Sequence, residues 1–143
     1  MDYRELKFYQ KAREIGKDVN LEIKSWPKSM QTLHISDQLF RSATSIGANI
    51  SEGHGRHIGV EYIHYLRIAQ GSANEVDHWL HTALDLKIGS KERIENLIML
   101  NIETRKMLNA TIKTIGKKYP GKTLREPDSP YSPNPYPLED EIQ

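Results

Sequence analysis

Proline is spread so unevenly along this chain that it sets the outline of the fold. Six of the seven prolines stand at or after Pro120, and Pro27 alone interrupts the stretch before them. Proline lacks an amide donor and clashes with the preceding turn, so a stretch without it is open to long helices and a stretch rich in it is closed to them. Residues 1–119 therefore read as a helical body, and residues 120–143 as a proline-rich acidic tail, extended or disordered. Charge divides at the same place. Residues 121–143 hold two basic and five acidic side chains, which leaves the body at a net charge of +4. Within the tail, Pro127-x-x-Pro130 and Pro130-x-x-Pro133 suit an aromatic groove.

The apolar period of the body is helical almost throughout. Leu6, Tyr9, Ala12, Ile15, Val19, Ile23 and Trp26 step by threes and fours along a first helix, which Pro27 ends. Leu39, Ala43, Ile46 and Ile50 mark a second, closed by Gly53 and Gly55. A third runs from Tyr62 through Leu66, Ala69, Ala73, Val76 and Leu80 to Leu84 and stops at Gly89. Ser90 is the expected N-cap of a fourth, whose stripe is Ile94, Leu97, Ile98, Asn101, Leu108, Ile112 and Ile115. No segment alternates like a strand. The fold class is all-α, an antiparallel up-down-up-down four-helix bundle with a Pro-rich extended C-terminal tail.

Composition removes several classes of function. The chain has no cysteine, which excludes disulfides, thiolate metal sites and a cysteine nucleophile. Its longest aliphatic run, Leu97–Leu100, is far shorter than the ~20 residues of a membrane helix. Met1–Glu5 has none of the apolar character of a secretory signal, so the expected location is cytoplasmic.

Two Glu-x-x-His motifs, Glu61–His64 and Glu75–His78, invite a di-iron reading, but such a site needs them on two facing helices. Both lie on the third helix, 14 residues and so ~21 Å apart. Helical nucleases of the HEPN type place four to six residues between an Arg and a His, a spacing that no Arg here satisfies. Phosphate-binding glycine loops and nucleophile elbows are also missing from the sequence. The chain reads as a non-enzyme with no metal or other cofactor.

Polar side chains form a second stripe on the second helix: Gln38, Arg41, Ser45, Asn49, Glu52 and Arg56. Glu61, Tyr65, Ser72 and Glu75 answer it on the third, so Arg41 or Arg56 is expected to pair with Glu75 or Glu61 and Asn49 to bond Ser72. Gly71 costs about 1 kcal/mol in a helix interior, and close approach of another helix backbone is the expected return. Gly47 suits the same role. Arg105, Lys106, Lys113, Lys117 and Lys118 gather in the C-terminal half of the fourth helix, a candidate nucleic-acid surface on which Arg105, Lys113 and Lys117 are expected near one face.

Two strings go beyond periodicity. Gln38–Gly53, followed by Arg56, resembles the central signature of the bacterial four-helix-bundle family known for proteins encoded by intervening sequences in 23S ribosomal RNA genes. Ile68–Glu75 is similar to its second signature, and Trp26-Pro27 to the aromatic-proline pair that ends its first helix. The resemblance spans roughly residues 3–118 and leaves out the tail. It implies a homopentameric ring and kinship with the accessory variability protein of diversity-generating retroelements, which binds a reverse transcriptase and nucleic acid through a basic surface. The signature residues it marks here are Arg41, Asn49, Glu52, Gly53, Arg56, Gly71, Ser72 and Glu75, as determinants of membership and assembly. Two departures count against tight nonspecific RNA binding: the body is only mildly basic, and Ser42 stands where a second arginine would follow Arg41.

The expected function is thus a homo-oligomeric scaffold that associates with RNA or DNA, or with an enzyme such as a reverse transcriptase. The rival is a protein-binding assembly factor with the tail as its contact segment.

Overall fold

A computed structural model describes residues 2–56 and 59–118. The tail, with its Pro-x-x-Pro motifs, lies outside the described residues. Four α-helices follow a short 3-10 turn at Tyr3–Glu5: α1 (Lys7–Lys24), α2 (Met30–His54), α3 (Gly59–Asp85) and α4 (Lys91–Lys117). Each packs against its two neighbours in the order α1–α2–α3–α4–α1, while diagonal pairs stay apart. This is the four-helix bundle expected from the stripes. Ile15, Leu39, Ile46, Ile50, Leu66, Leu80, Ile94 and Leu108 fill its centre, all fully buried.

The helix ends follow local chemistry. Pro27 breaks the chain after α1, and its carbonyl accepts from the Thr32 hydroxyl. Ser29 then caps α2 in a reciprocal box: its hydroxyl accepts the Thr32 amide at 3.2 Å, and its amide donates to Thr32 Oγ1 at 2.8 Å. Ser90 caps α4 by accepting the Arg93 amide at 3.3 Å. Between α3 and α4, Lys87 and Gly89 adopt positive φ of 56° and 76°. A Cβ on Gly89 would strike Trp26 Nε1 and Glu22 Oε1, so this turn requires glycine for both conformation and space.

Gly53 departs from its expected role. It does not end α2; it lies buried one residue before the helix ends, where an added Cβ would come within 2.7 Å of Tyr65 Cβ and 3.0 Å of Tyr62 Cδ2. The Tyr62 carbonyl of α3 would lie 3.3 Å from the same Cβ, so α3 packs tightly on α2 here. Gly71, expected to serve such an approach, is exposed, and a Cβ there would meet nothing within 4 Å. On Gly47 a Cβ would rest at 3.5 Å from the Tyr9 ring, an ordinary contact.

Candidate assembly and nucleic-acid surfaces

The α2–α3 seam has a polar centre at Ser45. Ser72 Oγ donates across the seam to Ser45 Oγ at 2.9 Å, and Asn49 Nδ2 donates to the Ser45 carbonyl at 2.8 Å and to its hydroxyl at 3.0 Å. Asn49 thus bonds its own helix, one turn back, and Ser72 makes the cross-helix link. The expected charge pairs between helices do not form. Arg41 pairs with Asp37 at 3.3 Å, one turn back on α2, and Arg56, just past the end of α2, pairs with Glu52 four residues before it. Arg56 does reach α3, but by donating to the Tyr65 hydroxyl at 3.0 Å, with its guanidinium 5.1 Å from the ring centre. The Glu52 hydrogen bond and the nearby Tyr65 and Glu61 charges raise the Arg56 pKa.

The signature residues therefore separate into two sets. Asn49, Gly53 and Ser72 sit in the seam, where they set the spacing and register of α2 against α3. Arg41, Glu52, Arg56, Gly71 and Glu75 are exposed along the outer sides of the same two helices.

On α4, Asn109 bonds Gln70 of α3 and Glu103 pairs with Lys11 of α1 at 3.0 Å, which fixes the two flanks of the helix. Steps of seven and four residues bring Lys106, Lys113 and Lys117 onto the outward face between those flanks. All three are exposed, and none makes an ion pair among the described residues. Arg105, expected with them, lies about a quarter turn away and is half-buried, because eight residues do not complete a whole number of turns. Lys118 is exposed at the C-cap.

The described histidines do not converge. Among the described residues no group of three or more His, Asp or Glu is arranged to hold a metal. His64 is buried with both ring nitrogens unpartnered, His78 packs edge-on against Trp79 with ring centres 4.7 Å apart, and His81 pairs with Asp77.

A buried carboxylate is the main feature that periodicity did not single out. Glu22 is 3% exposed and ties the end of α1 to the start of α4. Its carboxylate accepts from Arg93 Nε at 2.7 Å, the Ser90 amide at 3.0 Å and Trp26 Nε1 at 3.2 Å. Burial pushes its pKa up, but the bonds from Arg93, Ser90 and Trp26 and the Arg93 charge outweigh burial and hold it below the usual carboxylate value. The available signal was a glutamate one turn before Trp26 on the apolar stripe. Its partners Ser90 and Arg93 lie about 70 residues away, and no local pattern names them.

The family model for 23S rRNA-intervening sequence proteins matches residues 4–110, which include both polar strings and the α2–α3 seam. The chain belongs to that family. A solved structure from Bacteroides thetaiotaomicron, a protein of unknown function in the S23 ribosomal protein family, is 31% identical to this chain. It superposes with a TM-score of 0.69 over 79% of this chain and 99% of that one. No curated protein matches. The family match stops short of the tail, and it takes in Arg105 and Lys106 but not Lys113, Lys117 or Lys118. No helix among the described residues is long and apolar enough to cross a membrane.

Proposed function

We propose that this intervening-sequence protein is a non-enzymatic, cytoplasmic scaffold that assembles as a homo-oligomer, a pentameric ring, and associates with RNA or DNA. The observation that carries the nucleic-acid reading is the outward face of α4, where Lys106, Lys113 and Lys117 stand exposed and without ion pairs among the described residues. Phosphate contacts by lysine need no fixed partner geometry, and each neutralised phosphate releases counterions, so three cations repeated around a ring add up. Assembly is supported by the five exposed residues of the signature set. A Cβ on Gly71 would meet nothing within 4 Å among the described residues, and Arg41 and Glu75 find no partner on the facing helix. A nucleic-acid enzyme such as a reverse transcriptase is a fitting further partner for the ring.

The test is a titration into labelled structured RNA and duplex DNA at low and physiological salt, with native mass measured in parallel. Micromolar or tighter binding that weakens as salt rises is expected. A triple Lys106→Glu, Lys113→Glu, Lys117→Glu variant should lose at least tenfold in affinity while keeping its native mass. Absence of binding at low salt would reject the nucleic-acid reading and favour the protein-binding assembly factor. A monomeric native mass would reject the ring.

A further inference from the structure

The bundle is closed at the α2–α3 seam and open along the outside of α1 and α2. There, Ala12, Gly16, Ala43 and Gly47 supply so little side-chain volume that a groove of about 490 Å³ runs between the two helices. Its walls carry Tyr9 and Phe40, and its rim carries Arg13 and Lys17. Phe40 is 41% exposed, an unusual state for a phenylalanine on a folded surface. Arg13 and Lys17 are exposed, one helical turn apart, and make no ion pair among the described residues.

We propose that this groove is the docking site of the chain's own proline-rich segment, Pro130–Pro135. The occupant is chosen by chemistry, length and charge. An apolar floor with aromatic walls is the surface on which a polyproline II segment packs, because its prolines present ridges and little ordering entropy is lost. Tyr9 to Asn20 on the groove's α1 side spans about 16 Å of helix axis. At ~3.1 Å per residue the six residues Pro130–Pro135 cover the same distance.

The point of departure is favourable as well. α4 runs antiparallel to α1, pairing Arg93 with Glu22 and Glu103 with Lys11, so its end at Lys117 lies past the Tyr9 end of the groove, about 18 Å beyond Tyr9 along the axis. The eleven residues 119–129 can reach ~36 Å when extended, several times the ~10 Å diameter of the single helix they must cross. Charge completes the match. Glu126 and Asp128 precede the proline run, and Glu139, Asp140 and Glu141 follow it, so the segment carries carboxylates to a groove whose rim bears the two cations Arg13 and Lys17.

The absence of native cysteine makes the test direct in the full-length chain. Thr44, exposed at mid-groove, and Ser132, inside the proline run, are replaced together, as Thr44→Cys and Ser132→Cys. The control pairs Ser132→Cys with Asn74→Cys, exposed on α3 at about the same height. Mild oxidation is followed on non-reducing gels and by mass spectrometry, with helical content and Tm checked for each variant. Asn20→Cys on the opposite lip gives a second reading should Thr44→Cys disturb the helix.

Intrachain disulfide in the groove pair should form at least tenfold faster than in the control, and Arg13→Glu with Lys17→Glu should remove the preference. Equal rates in the two pairs would overturn the proposal. So would an interchain product as the dominant species, which would assign the groove to a second copy's tail. A preference that survives the charge reversal would overturn the role of the rim cations in selecting this segment.

Discussion

Replacing Glu22 tests how the ends of the chain's first and last helices are held together. In the native fold one carboxylate satisfies Trp26 Nε1, the Ser90 amide and Arg93 Nε, at 3.2, 3.0 and 2.7 Å. Glu22→Ala removes all three acceptors together and leaves a cavity. Arg93 is 62% exposed and regains water, so most of its loss is recovered. The Ser90 and Trp26 donors lie against the closed α3–α4 turn and regain less, at a cost of about 1–3 kcal/mol each. The expected loss is therefore about 3–5 kcal/mol, in line with breaking a buried charge pair from one side. For a domain of this size that lowers Tm by roughly 10–20 °C. Glu22→Gln keeps the shape and one carbonyl acceptor but not the charge, so about 1–2 kcal/mol should go.

Acid separates the two accounts of that smaller loss. Because the folded pKa lies below the unfolded value of about 4.5, the carboxylate's contribution is fully present above that value. It disappears as pH falls through the folded pKa, where both states are protonated. Urea unfolding at matched protein concentration should therefore show wild type and Glu22→Gln converging as pH drops from 6 towards 3. A Glu22→Ala variant within 1 kcal/mol of wild type at pH 7 would refute the clasp. A wild-type advantage over Glu22→Gln that persists unchanged at pH 3 would refute its electrostatic part.

Other substitutions test the seam and the interior. Gly53→Ala should cost about 1–3 kcal/mol, since its Cβ would sit 2.7 Å from Tyr65 Cβ; a chemical melt unchanged from wild type would show that α2 and α3 can part freely. Gly71→Ala should raise stability by up to about 1 kcal/mol because the site is open, whereas Gly71→Leu should leave the isolated fold intact and lower the native mass if the residue lies between subunits. An unchanged mass for Gly71→Leu would remove that position from the assembly contact. Asn101 is fully buried, donates to the Ala73 carbonyl at 2.9 Å and leaves its own Oδ1 unpaired. Asn101→Leu should therefore fall within about 1 kcal/mol of wild type, while Asn101→Asp, which buries a charge, should lose about 3 kcal/mol or more at pH 7 by thermal melt.

The helices were legible because periodicity is a local property. Ile15, Leu39, Ile46, Leu66 and Leu108 each recur at helical spacing, and each is fully buried. The caps at Ser90 and the break at Pro27 are local too, since they depend on the backbone within one turn. Pairings between helices were less legible. A stripe shows that Arg41 and Arg56 share a side of α2, but an acceptor one turn away on the same helix outcompetes one across the seam. The difference is entropic, because a neighbour on the same helix is already in place whereas a cross-helix pair must immobilise two long side chains. Ser45 and Ser72 do meet across the seam because their side chains are short and little freedom is lost.

Glycine shows why the same residue can be read correctly as a cost and wrongly as a contact. Gly53 sits one residue before the end of α2 and Gly71 midway along α3, but no local pattern shows which of them meets another helix. What separates them is the direction each Cα faces once four helices have closed around one core. Gly53 faces Tyr62 and Tyr65 of α3; Gly71 faces away from every described neighbour. The first cost is answered inside the subunit, by a backbone approach that any larger residue would block. The second finds no answer in a single chain, and neither does the exposed ring of Phe40 beside the α1–α2 groove. These positions share a physical feature: space or flexibility is kept where the lone bundle has no use for it. Such positions are where another piece of protein, from a second subunit or from the chain's own tail, has something to bury.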